Sequence, residues 1–85
     1  MSHTNVNFAL RGAARGGHQT LVQFIIDKGA THLNDALYCA ARGGYTELVM
    51  FLISKGANDW IHGLYGARLK RRQELIEFFE KKINQ

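Results

Sequence analysis

The sequence predicts an all-α fold, a solenoid of six short helices in three stacked helix-turn-helix units, with little or no β structure. Three observations predict it. The stretch Leu37 to Ala57, LYCAARGGYTELVMFLISKGA, aligns without a gap on Leu10 to Ala30, LRGAARGGHQTLVQFIIDKGA, and on Leu64 to Lys82, LYGARLKRRQELIEFFEKK, at a constant period of 27 residues. A fixed period of about 20–50 residues marks a stacked repeat array. Glycines punctuate the units in register, with Gly16-Gly17 and Gly43-Gly44 inside them and Gly29 and Gly56 closing them. The segments between carry alternating character: small residues first, then large apolar ones.

Taken in order, Met1 to Asn7 reads as a polar N-terminal tail with no apolar anchor. Repeat one spans 8–33, repeat two 34–60 and a capping repeat three 61–85. The first helix runs from Phe8 to about Arg15, and its small residues Ala9, Gly12, Ala13 and Ala14 permit close helix approach. Thr20 or His18 starts the second helix, whose Leu21, Val22, Phe24, Ile25 and Ile26 cover more than a narrow stripe, as in a helix buried on several sides. Lys28 and Gly29 suit its C-terminal end. In repeat two, Asn34 or Asp35 is positioned to cap the first helix and Thr46 the second, with Glu47 in the first turn. Repeat three departs from the pattern. Gly43-Gly44-Tyr45 becomes Lys70-Arg71-Arg72, and Met50 and Ile53 become Glu77 and Glu80, a polar outer face suited to the end of a stack. The first repeat has no such face, so Phe24, Ile25 and Ile26 are expected to favour self-association or a covering partner.

Composition narrows the function. The 85-residue chain has 11 basic and 7 acidic residues, a net charge of +4. The excess is uneven: repeat one has three basic residues and one acid (+2), repeat two has two and three (−1), and residues 61–85 have six and three (+3). Cys39 stands alone and has no internal disulfide partner, which fits a reducing compartment; the expected setting is intracellular, cytoplasmic rather than nuclear. No apolar run is long enough for a membrane span, and MSHTNVNF lacks the features of a secretory signal. His3, His18, His32 and His62 have no metal-ligand spacing, and no carboxylate pair or Ser-His-Asp set stands out, so no metal, cofactor or catalysis is expected. Cys39 reads as a small core residue, and Trp60 as packing at a joint between repeats.

The order Leu37-Tyr38-Cys39-Ala40-Ala41-Arg42-Gly43-Gly44-Tyr45-Thr46-Glu47-Leu48-Val49, followed by Gly56-Ala57, resembles the ankyrin repeat, whose core reads Leu-His-x-Ala-Ala, Gly-His-x-Glu-Ile-Val and Gly-Ala. Gly17-His18 keeps the family's second His, and the likeness runs from Phe8 to about Lys82. Two features depart from it. The chain has no proline, so Asp35-Ala36 and His62-Gly63 stand where Thr-Pro is usual. The period is also shorter than the family's ~33 residues, which leaves no room for the β-hairpin finger. The short-period phrases are similar to ankyrin-type arrays of giant DNA viruses and some protists or bacteria.

The resemblance implies a non-catalytic module that binds another protein. Residues one period apart form ladders on the first helices: Arg11, Tyr38, Tyr65; Arg15, Arg42, Leu69; and Phe8, Asp35, His62. Arginine and aromatic residues dominate interface energetics, so Arg11, Arg15, Tyr38, Arg42 and Tyr65 are the candidate partner contacts. Tyr38 and Tyr65 also fall at the family's structural His position, and hydrogen bonding within the stack is the competing reading of both. Arg68, Lys70, Arg71 and Arg72 form a compact basic run. Nucleic-acid binding is its functional reading and a solvated cap the plainer one. It lacks a neighbouring row of aromatics for base stacking.

Overall fold

The computed structural model describes residues 3–85. They form six α-helices and, among the described residues, no strand: α1 (His3–Arg15), α2 (Gln19–Asp27), α3 (Leu33–Gly43), α4 (Thr46–Ser54), α5 (Trp60–Leu69) and α6 (Gln73–Ile83). Consecutive pairs form three hairpins, stacked into a body of 38 × 23 × 18 Å. The expected architecture is therefore the observed one.

The first helices carry the stack, α3 packing on α1 and α5 on α3, whereas the second helices pack mainly on their own hairpin partners. Small residues explain the difference. A Cβ built on Gly66 would lie 2.7 Å from the Tyr38 carbonyl oxygen, so α5 approaches the α3 backbone as only glycine allows. Ala13, Ala14, Ala36, Ala40, Ala41 and Ala67 fill the same seam. Leu10, Leu37, Leu48, Leu52, Leu75 and Phe79 complete a continuous core.

One closure recurs at both ends of the hairpins. The Gly17 N–H donates to the Ala14 carbonyl and the His18 N–H to Ala13; Gly44 and Tyr45 donate likewise to Ala41 and Ala40. Gly29-Ala30 and Gly56-Ala57 end α2 and α4 with the same paired bonds. This is the Schellman arrangement, which needs a left-handed residue after the helix. Gly17 and Gly44 supply it with φ 73° and 75°. In the third hairpin Arg71 holds φ 56° instead.

Several boundaries differ from expectation. α1 extends back to His3, and Val6 and Asn7 are buried, so the polar stretch before Phe8 belongs largely to the first helix. Met1 and Ser2, the rest of the expected tail, lie outside the described residues. His18, His32 and Tyr45 occupy the N-cap positions of α2, α3 and α4, and none makes a side-chain capping bond. Thr20, Asn34, Asp35 and Thr46 thus lie inside their helices. Asn34 is used at longer range: its Oδ1 accepts from the backbone N–H groups of Asn58 and Asp59, at 2.8 and 3.0 Å. Asn7, one period earlier, accepts in the same way from Thr31 and His32, at 2.9 and 3.1 Å. Each asparagine ties the entry of the next hairpin to the one before. Among the described residues only Asp59 caps by side chain, accepting from the His62 N–H at 3.0 Å.

The two ends of the stack are unlike. Arg68 stands where the first two repeats have the fully buried Ala14 and Ala41, and its guanidinium pairs with Glu80 at 3.1 Å. That pair links α5 to α6 and gives the last hairpin a polar end. Glu77 is less informative than the sequence suggested, because Met50 at the equivalent position already faces solvent. At the other end, Leu21 is 46% exposed whereas its equivalents Leu48 and Leu75 are 2% and 1% exposed. Phe24 is also exposed, Ile25 is buried and Ile26 is partly buried, so one of the three residues expected to be bare is so.

Candidate functional site

The first helices end at a common edge, and a groove of about 740 Å³ runs across them. Its lining includes Arg11 and Arg15 from α1; Asp35, Tyr38, Cys39 and Arg42 from α3; His62 from α5; and Lys70 and Arg72 from the turn between α5 and α6. Periodicity places these side chains. Residues one period apart take equivalent places on successive first helices, so a ladder in sequence becomes a row in space.

Arg15 is the last residue of α1, Arg42 lies in the last turn of α3, and Lys70 follows α5. A cation at a helix C-terminus meets the negative end of the helix dipole, worth about 0.3–1 kcal/mol at an exposed position. Arg72 reaches the same edge differently. Its aliphatic chain lies over Gly44, where a Cβ would meet Arg72 Cδ at 2.9 Å, and its Nε donates to the Arg42 carbonyl at 3.1 Å. The contact belongs to a further ladder. Tyr45, one period earlier, lays its ring over Gly17 of the preceding hairpin and Gly43 of its own. His18 folds onto Gly16.

The opposite side of the groove is aromatic and mixed in charge. Tyr38 is half-buried, with its ring centroid 5.0 Å from His62 and 6.4 Å from Tyr65. Neither tyrosine hydroxyl has a hydrogen-bond partner among the described residues, so ring stacking, and not the hydrogen bonding of the competing reading, links them in the stack. Asp35 lies 3.5 Å from His32, and Asp59 3.6 Å from His62. Acid and histidine have exchanged places between the two repeats.

Of the candidate contacts, Arg11, Arg15, Tyr38 and Arg42 line this groove, and Tyr65 sits beside it, largely exposed. The basic run is divided. Lys70 and Arg72 enter the groove, Arg68 turns to Glu80, and Arg71 occupies the left-handed turn. The two sets are separate in sequence because Lys70 and Arg72 lie just over a full period beyond Arg42; the turn-to-turn contact of Arg72 on Gly44 joins them. Cys39 is buried at the groove and unpaired. Among the described residues no group of three or more His, Cys, Asp or Glu is arranged to hold a metal, and no helix is long and apolar enough to cross a membrane.

Residues 32–62 match the family model described as Ankyrin repeat. The matched segment comprises α3, α4 and the start of α5, that is, one full helical hairpin and the entry to the next. No curated protein matches the chain.

Proposed function

From a chain that carries an ankyrin repeat, a type of module that serves protein–protein interaction rather than catalysis, we propose a protein-binding function exercised through the face of the first helices. The observation that carries it is the groove itself: Arg11, Arg15, Tyr38 and Arg42, on two different helices, share one concavity. Concave sites with a few convergent polar groups are where binding concentrates. Tyr65 extends the contact surface beyond the groove through its stack on Tyr38.

The test compares the parent chain with an Arg15→Ala, Arg42→Ala double variant in nuclease-treated lysate capture, with circular dichroism as the check on folding. Both side chains are exposed, so the variant is expected to fold normally and to lose the parent's partner proteins. Equal recovery by the two chains would move the site elsewhere.

A second reading has its own observation. Lys70 and Arg72 bring the groove's basic residues to five, a pattern also suited to phosphate. Nucleic-acid binding through this edge predicts an affinity for oligonucleotides that falls steeply with salt and is lost on reversing Lys70 and Arg72.

A further inference from the structure

The charge around the groove is one-sided. Five of the chain's eleven Lys and Arg residues line it, against one of its seven acids, Asp35. Among the described residues none of the five forms an ion pair with a carboxylate. Among the described residues the only Arg–carboxylate pair is Arg68–Glu80, away from the groove, and Asp35 is spaced to His32. Asp27 and Glu77 accept from Gln23 and Gln73 of their own helices.

Helix-end electrostatics account for part of this, and a specific contact holds the rest in place. Arg15 and Arg42 sit where a helix C-terminus favours a cation. Arg72 is the N-cap residue of α6, and only its side chain reaches the last turn of α3. It is fixed there by its bond to the Arg42 carbonyl and its packing on Gly44. A guanidinium held in place next to Arg42 and Lys70 is preorganised for an anion.

Four of the five cations also lie on one side, Arg11 being in the body of α1. Arg15, Arg42, Lys70 and Arg72 belong to the ends of helices and the turn, whereas Asp35, Tyr38 and His62 belong to the starts and middles of α3 and α5. A uniform polyanion places charge along its whole length and meets Asp35. A peptide can set carboxylates against the four cations and uncharged side chains against Tyr38 and His62.

We propose that the segment recognised by this groove is an acidic peptide stretch of the partner protein, its carboxylates seated on the row Arg15, Arg42, Lys70 and Arg72. The inference rests on the protein-binding reading above. Arginine forks and carboxylates match in bidentate geometry, which supplies orientation as well as attraction.

Selection of a displayed random-peptide library on the full chain tests it. Winning peptides are resynthesised and measured by fluorescence anisotropy against the parent chain, an Arg15→Gln, Arg42→Gln variant and a Lys81→Gln control. The expected result is winners enriched in Asp and Glu, an affinity at least tenfold weaker for the double variant, and no change for the control. Raising salt should weaken binding further. Winners that depend on Arg15 and Arg42 but carry no acidic excess would overturn the inference and leave the groove as the binding face. Winners indifferent to Arg15 and Arg42, or no winners at all, would overturn both. A dT20 oligonucleotide that binds the same edge more tightly than any peptide would assign the cations to nucleic acid instead.

Discussion

Arg71 holds a left-handed backbone (φ 56°) where Gly17 and Gly44 stand in the first two hairpins. A side chain with a Cβ costs about 1–2 kcal/mol in that conformation, and glycine close to nothing. Part of the gain from glycine is returned through the freer unfolded chain. Arg71→Gly is therefore expected to stabilise the protein by about 1 kcal/mol, raising Tm by roughly 4–8 °C for a domain of this size. An unchanged or lowered Tm in a calorimetric scan would mean that the Arg71 side chain contributes contacts outweighing its backbone strain. Asp59 offers the opposite case at the same scale. It caps its helix with its side chain, so Asp59→Ala should cost about 1 kcal/mol, while His32→Ala at the equivalent position, which makes no such bond, should cost far less.

Between elements, the asparagine tether is the repeated device. Asn7 and Asn34 each satisfy two backbone N–H groups in the connection that follows, a task a β-hairpin would otherwise perform. Removing the acceptor leaves those groups unpaired, at about 1–3 kcal/mol for buried ones. Asn7 is buried and Asn34 only partly so, hence Asn7→Ala should be the more damaging in urea denaturation. Ile61 occupies the third equivalent position with no hairpin after it and is 65% exposed. Ile61→Asn should leave stability nearly unchanged. A loss comparable to that of Asn7→Ala would mean that Ile61 is held by packing the tether scheme does not include.

At the scale of the whole molecule, the described residues form three hairpins, about the fewest that bury a continuous core. Arg68 and Glu80 close the last hairpin by placing a charged pair where Ala41 and Ile53 stand one repeat earlier. Replacing them together, Arg68→Ala with Glu80→Ile, recreates an apolar stacking face. The double variant should associate more strongly than the parent in sedimentation equilibrium. Equal association would show that the charge pair does not govern that end. Single replacement is less informative, because it leaves one charge without its partner.

Repetition made most of the fold legible in one dimension. A gapless period, in-register glycines and the alternation of small and large apolar segments fix six helices and three hairpins, since each is a local property copied along the chain. The groove-lining residues Arg11, Arg15, Tyr38 and Arg42 were legible for the same reason. Tertiary structure alone decided what depends on contacts between hairpins. It directed Asn34 to the following loop instead of its own helix end, carried α1 back past Phe8 where Val6 and Asn7 gain burial, and split the basic run. Propensity and capping rules weigh a residue against its neighbours in sequence. The energies that placed Asn34, Arg68 and Arg72 come from groups 12 to 30 residues away, and only hairpin closure and stacking bring those within reach.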